Sequence, residues 1–161
     1  MGKDVLEKIK RMLDKEQISY KHLTHEHVHS SHEAAKIRGN KVEQAAKAIV
    51  LKAKNKDKEY VFLQCVLPGH KKIDLKKLKK ELGFRSAGLA SPDEVLRITG
   101  CTIGSVPPLG ELFNLKVYAD KSLLEQEIVV FSAGTHNDSI QLKCKDYIKV
   151  VKPTVISVEK C

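Results

Sequence analysis

Gly100-Cys-Thr-Ile-Gly104-Ser-Val-Pro-Pro108-Leu-Gly110 is the stretch on which the reading of this chain turns. Three glycines and two prolines within eleven residues exclude a helix or a regular strand, so the stretch is a shaped loop. Gly104 permits either a positive φ or the close approach of another group to the backbone. Pro107 and Pro108 each fix φ and each lack an N–H. They also push Val106 and Pro107 towards extended geometry. The loop tip therefore has few donors and an excess of carbonyl acceptors. Its donors are the amides of Gly104, Ser105, Val106, Leu109 and Gly110. Amides of this kind suit a developing oxyanion, and rigid carbonyls suit an ammonium group. A tight connection between two elements fits the same composition. The stiffening prolines leave Gly104 as the expected point of close approach.

Upstream of the loop, Ser91 caps a helix from Pro92 to Ile98, with proline at its first position and Asp93 and Glu94 in its first turn. Thr99-Gly100 ends that helix. Leu89-Ala90 is a short strand. Before it, Asp74 caps a helix with Leu75, Leu78 and Leu82 on one face, and Gly83 ends it. The other face carries Lys76, Lys77, Lys79 and Lys80, preceded by Lys71 and Lys72. This is a candidate phosphate track and equally an ordinary solvated helix face. Tyr60 to Leu67 is the longest strand, ended by Pro68-Gly69 and joined through the polar turn Asn55–Lys58 to the apolar strand Ala48–Leu51. Lys47 stands at the mouth of that strand, a compact point charge on a flexible stem. Downstream, Leu115–Ala119 is a strand closed by Asp120, and 121–127 is a connector with one helical turn. Ile128–Ser132 and Ser139–Leu142 are strands about the turn Gly134–Asp138. Cys144–Lys149 is a short helix, and 152–158 is a last extended segment.

Near the N-terminus, Val5, Ile9, Met12 and Leu13 fall on one face of a helix from Asp4 to Glu16. Ile18 to Leu23 alternates as a strand does. His25, His27 and His29 then lie on one side of an extended segment. Zinc would also need a shaped cavity and supporting partners. No cysteine or paired acid is near in sequence, so the reading is a polar surface strand and no metal. Ser30 and Glu33 form a capping box for a helix through Ile37 that stops at Gly39-Asn40.

About seven short strands interleaved with helices give a mixed α/β or α+β domain, and 161 residues suffice for one domain with a sizeable core. No apolar run approaches the ~18 residues of a membrane helix. The first residues lack a secretory h-region. The four cysteines form no C-x-x-C pair, so no disulfide framework is expected and the setting is cytoplasmic. A net charge of +9 points to a polyanionic partner. There is no Gly-x-Ser-x-Gly elbow, no P-loop and no dinucleotide fingerprint. Cys101 has no histidine beside it in sequence to activate it.

Gly104-x-x-x-Pro108 resembles the Gly-x-x-x-Pro loop of the YbaK/prolyl-tRNA-synthetase-associated domain family, which edits aminoacyl-tRNA. Ser30-Ser31-His32-Glu33-Ala34-Ala35 resembles its Ser/Thr-Ser-x-Glu-Ala-Ala segment, and Lys47 stands where that family has a lysine opening a strand. The segments 90–95, 118–123 and 132–135 follow in matching order, so the resemblance runs from Ile18 to Ile156. It implies a strongly curved mixed sheet flanked by helices, residues 1–161 as one editing domain, and no cofactor. It implies hydrolysis of the ester that joins a wrong small amino acid (Ala, Cys, Ser or Thr) to a tRNA. Lys47 would hold the terminal phosphate or the carbonyl oxygen. Gly104 and Ser105 would bound the reaction centre, with His136 orienting water and Asp120 ordering the loop or the substrate amine. Ser31, Val106, Pro107, Pro108 and Gly134 would line the amino-acid pocket. Lys71, Lys72, Lys76, Lys77 and Lys80 would track the tRNA backbone. The implied partners are tRNA and, for an appended domain, an aminoacyl-tRNA synthetase. A non-catalytic RNA-binding module is the other reading that the residues leave open.

Overall fold

The computed structural model describes residues 2–27 and 31–160. In chain order the elements are α1 (Gly2–Lys15), β1 (Tyr20–Thr24), α2 (Ser31–Arg38), β2 (Ala46–Lys54), β3 (Tyr60–Pro68), α3 (Leu75–Leu82), β4 (Ser86–Leu89) and α4 (Pro92–Thr99). There follow β5 (Lys116–Asp120), α5 (Lys121–Leu124), β6 (Ile128–Ser132), β7 (Asp138–Lys143), α6 (Cys144–Val151) and β8 (Thr154–Ile156). Short 3₁₀ turns occupy Val42–Gln44 and Gly110–Phe113. The mixed α/β class is as expected. The segment 152–158 supplies β8, which brings the described strands to eight.

These strands form two sheets rather than the one curved sheet of the family picture. One is antiparallel, in the order β1-β7-β6; the other is mixed, in the order β4-β2-β3-β5-β8. The turn at Asn55–Lys58 folds β2 back on β3, with Lys47 opposite Leu67 and Lys54 opposite Tyr60. β5 lies parallel to β3 and β8 parallel to β5, so each needs a crossover. A parallel bridge between Ala45 and Val130 joins the sheets where β2 begins.

Local signals account for the helix ends. Asp74 accepts from the amide of Lys77, and Gly83 closes α3 at φ +73°. Ser91 and Glu94 make a reciprocal capping box on α4, and Gly100 closes it at φ +72°. The capping role expected of Ser30 lies outside the described residues.

Period-two alternation divides the five-stranded sheet between two apolar layers. Ala46, Val50, Val66, Val117 and Ala119 face the larger core, which they share with α1, α4, α6 and the antiparallel sheet. Val106 and Leu109 of the loop belong to that core. Leu51, Ala53, Leu63, Cys65 and Tyr118 face the second layer, covered by Leu78 of α3 with Ile156 and Val158. Cys65, Cys101 and Cys144 are buried free thiols. Burial raises the thiol pKa of Cys101, and its Sγ lies 3.6 Å from the Thr99 carbonyl. A thiol kept protonated in this way is not a nucleophile.

Candidate editing site

Gly104 occupies the third position of a tight turn. The amide of Ser105 donates to the carbonyl of Thr102 at 3.0 Å. Gly104 has φ +92°. A four-residue turn with positive φ at its third residue is type II, which calls for glycine there. The turn itself thus demands glycine at 104, before any close approach to its backbone. The ring of His136 then covers the glycine, with Cε1 3.2 Å from where a Cβ would stand.

His136 is held on both sides. Its Nε2 meets Thr102 Oγ1 at 2.9 Å, and its ring stacks on His27 with centroids 4.4 Å apart. Ser105 Oγ donates to the Thr102 carbonyl at 2.8 Å and lies 3.3 Å from Thr102 Oγ1. The Ser105 carbonyl accepts from the amide of Gly134 at 2.9 Å, which fastens the loop to the turn carrying His136. Ser105 is 1% exposed, and both its amide and its hydroxyl are committed to Thr102. It therefore builds the turn and is not free to act on a substrate, which corrects its expected place at the reaction centre.

The rest of the loop faces inward. Val106, Pro107 and Pro108 are buried. The Pro107 carbonyl accepts from Gln64 Nε2 at 2.9 Å and the Pro108 carbonyl from Tyr147 Oη at 2.7 Å. The carbonyls expected to bind a substrate ammonium instead anchor the loop to β3 and α6. The reason is physical: a carbonyl carried into the core needs a donor there. Gln64 is a polar residue in the apolar run 61–67, and that is the sequence signal it offered; Tyr147 stands among Lys145, Asp146 and Lys149 and offered none.

Lys47 and Asp120 lie elsewhere. Both stand on the second face of the five-stranded sheet, Lys47 opposite Leu67 of β3 and Asp120 one residue past the Val66–Ala119 pair. Lys47 is half-buried and its Nζ donates to the carbonyl of Lys71. Burial, with help from the charge of Lys72, lowers its pKa. Lys47 thus joins Lys71 and Lys72 in one cationic cluster, with Lys71 Nζ 3.6 Å from Glu159. Asp120 is 1% exposed. One carboxylate oxygen accepts from the amide of Val158, and the other from the amide and hydroxyl of Ser122. Asp120 caps α5 and pins the C-terminal segment; it does not order the Gly104 loop. Lys76, Lys77 and Lys80 stay exposed on α3.

The start of β2 meets β6. Ala45 bridges Val130, and from that bridge β2 and β6 run in the same direction, β2 past Lys47 and β6 towards Gly134. Gly134 has φ +97° and packs on Gly2. Ser31 opens α2.

The histidine stretch is tied down by protein groups. His25 Nδ1 donates to the Glu26 carbonyl at 2.8 Å, and its Nε2 lies 2.7 Å from Ser139 Oγ. Arg38 Nη1 also donates to that hydroxyl. Burial brings the Arg38 pKa down to about 10. His22 Nε2 lies 2.8 Å from Asp138. Burial opposes the Asp138 carboxylate, but the bonds from Thr135 and His22 outweigh it and hold its pKa low. His29 lies outside the described residues. Among the described residues no group of three or more His, Cys, Asp or Glu is placed to hold a metal.

The site is thus a glycine in a type II turn, roofed by a histidine and tied to a second glycine turn. The Aminoacyl-tRNA editing domain family matches residues 25–150. This chain belongs to the aminoacyl-tRNA editing domain family. It is 33% identical over 150 residues to the Multifunctional Ser/Thr-tRNA deacylase ProXp-y of Escherichia coli, covering 92% of this chain and 89% of that protein. It is 28% identical over 96 residues to a proline–tRNA ligase of Thermosipho melanesiensis, covering 60% of this chain and 16% of the ligase. A crystal structure of a candidate trans-editing enzyme for prolyl-tRNA synthetase superposes with a TM-score of 0.81 at 23% identity, over 98% of each chain. That likeness establishes the editing-domain fold. Among the described residues no helix is long and apolar enough to cross a membrane.

Gly104→Ala tests the site locally. Positive φ costs a Cβ-bearing residue roughly 1–2 kcal/mol, and the new Cβ presses on His136. Melting should fall by roughly 2–8 °C for a chain of this size. Turnover should slow to a similar degree on every aminoacyl group, because His136 is displaced. Unchanged melting, with the smallest aminoacyl group spared, would instead assign Gly104 to the pocket wall.

Proposed function

We infer that this chain is an aminoacyl-tRNA deacylase, hydrolysing the ester between a small amino acid and the 3′ end of a mischarged tRNA. The observation that carries the reading is the joining of the Gly104 turn to the Gly134–His136 turn through Ser105 and Thr102. An aminoacyl ester is already activated, so the site needs to position water and stabilise an oxyanion. His136 orients the water. The amide of Gly104 receives the developing charge on the carbonyl oxygen. Lys47, with Lys71 and Lys72 beside it, holds the terminal phosphate. Such an anion would relieve both the burial and the repulsion that depress the Lys47 pKa.

The relative's Ser/Thr activity makes seryl and threonyl esters the first substrates to examine, with alanyl and cysteinyl esters beside them. A methyl or hydroxyl difference changes such discrimination by only about 1–3 kcal/mol, so a graded preference is expected. The chain works in the cytoplasm, where its substrates are made, alone or docked to a synthetase. The test is a panel of tRNAs charged with Ser, Thr, Ala and Cys, with released amino acid measured in the absence of ATP. Release from at least one, above spontaneous hydrolysis, supports the reading. Release from none leaves the chain an RNA-binding module.

A further inference from the structure

The paired strands β2, β3 and β4 carry a basic and aromatic surface well away from the editing site. Lys52 lies opposite Phe62 on β3 and Gly88 on β4; Lys54 lies opposite Tyr60 and Ser86. Directly opposed residues share a face of a sheet. That face continues through Val50 and Gln64, and Gln64 holds Pro107 of the loop. The patch and the loop therefore occupy one side of the five-stranded sheet. Lys52 also pairs with Glu94 of α4, which borders the patch.

Tyr60 is 62% exposed. The ammonium of Lys52 lies 4.8 Å from its ring centroid and that of Lys54 5.3 Å. One ring thus gathers two cations, and Glu94 at 2.9 Å from Lys52 is the carboxylate paired there. Beside it the sheet is bare: no atom lies within 4 Å of where a Cβ of Gly88 would stand. A flat strand surface with an exposed ring and surplus ammonium groups suits unpaired nucleotides, whose bases stack and whose phosphates take the lysines. Lysine is depleted in protein–protein interfaces, so the composition favours RNA over a polypeptide. The chain's net charge of +9 supplies the complementary field.

We propose that Tyr60, with Lys52 and Lys54, forms a second RNA contact that stacks an unpaired nucleotide of the tRNA while its ester occupies the editing site. This rests on the deacylase reading for the identity of the RNA. Along β2, Lys54 stands four residues beyond Val50, whose partner Gln64 holds the loop, roughly 13 Å at the usual strand rise on that same face. A few extended nucleotides span that distance.

Fluorescence anisotropy with two probes tests it: uncharged tRNA, and a single-stranded RNA of about twelve nucleotides. Tyr60→Ala should weaken both by roughly tenfold, and Tyr60→Phe should restore them, because stacking needs the ring and not the hydroxyl. Lys54→Gln should lower the slope of log K against log salt by about 0.7 on the single strand for the one phosphate released. On a mischarged tRNA, Tyr60→Ala should raise KM and leave kcat unchanged. Three results would overturn the contact. One is a Tyr60→Ala protein that melts as wild type and binds both probes within roughly twofold of it. Another is failure of Tyr60→Phe to restore binding. The third is competition by polyglutamate as strong as that of RNA at equal charge. If the wild type binds RNA through Tyr60 but deacylates no tRNA, the deacylase reading fails and the contact stands. If it deacylates with Tyr60→Ala indistinguishable, the reverse holds.

Discussion

Lys47→Ala is expected to lower kcat/KM on a mischarged tRNA by about 10²–10³, the usual cost of one lost electrostatic contact in such a site. Its fold should survive. Burial and Lys72 hold the Lys47 pKa below its unfolded value. A base whose pKa is depressed by folding opposes folding below its folded pKa, and that opposition fades as pH rises through it. At neutral pH the substitution therefore removes an unfavourable charge along with the bond to Lys71, and melting should move little. The kinetic split identifies the contact. A rise in KM with kcat held means that Lys47 grips the terminal phosphate equally in ground and transition states. A fall in kcat means that it reaches the carbonyl oxygen. The neighbouring Lys71 and Lys72 favour the phosphate. Lys47→Arg should recover little, because a planar fork does not replace a compact ammonium. Near-normal turnover by folded Lys47→Ala would remove the residue from the mechanism.

Gly134→Ala should be the most damaging glycine substitution for folding. Its φ is +97°, and a Cβ would stand 2.4 Å from the backbone oxygen of Gly2 and 3.1 Å from Val5 Cβ. Strain alone costs roughly 1–2 kcal/mol. Forcing the first turn of α1 aside adds about 1–3 kcal/mol of overpacking. The sum, ~2–5 kcal/mol, corresponds to a melting decrease of roughly 4–20 °C at this chain length. Activity should fall as well, since the Gly134 amide ties the turn of His136 to Ser105. Thermal melting checks this. A Gly134→Ala protein that melts with the wild type would mean that α1 does not press on the editing turn.

The secondary structure was legible because its signals are local. Asp74, Gly83, Ser91, Glu94 and Gly100 act where they stand, so the ends of α3 and α4 follow from spacing alone. The site was legible only in part. Gly104 stood out by composition, but its role depended on whether Ser105 or a substrate faced Thr102. Thr102 and Cys101 flank the turn alike in sequence; the hydroxyl reaches His136 while the thiol is buried. His27 looked like one member of an alternating polar run, and only the approach of β1 to β7 brings it over His136. Pro107 and Pro108 suggested a pocket wall because a sequence does not show which carbonyls are carried inward to Gln64 and Tyr147. Asp120 misled for a similar reason. A buried acid near a family motif invites a chemical role, whereas its partners are Ser122 and the amide of Val158, far along the chain. The two sheets were missed because their junction is one bridge, Ala45 with Val130, in segments with no distinguishing pattern.

The central claim is that an ester is hydrolysed at the Gly104–His136 site by protein groups alone. The most direct measurement is single-turnover release of serine from Ser-charged, non-cognate tRNA with a chelator present, for wild type and His136→Ala. The account predicts release by wild type with the chelator having no effect, and release slowed by roughly 10²-fold or more in a His136→Ala protein that melts normally. Equal rates for the two proteins, or release abolished by the chelator, would contradict it.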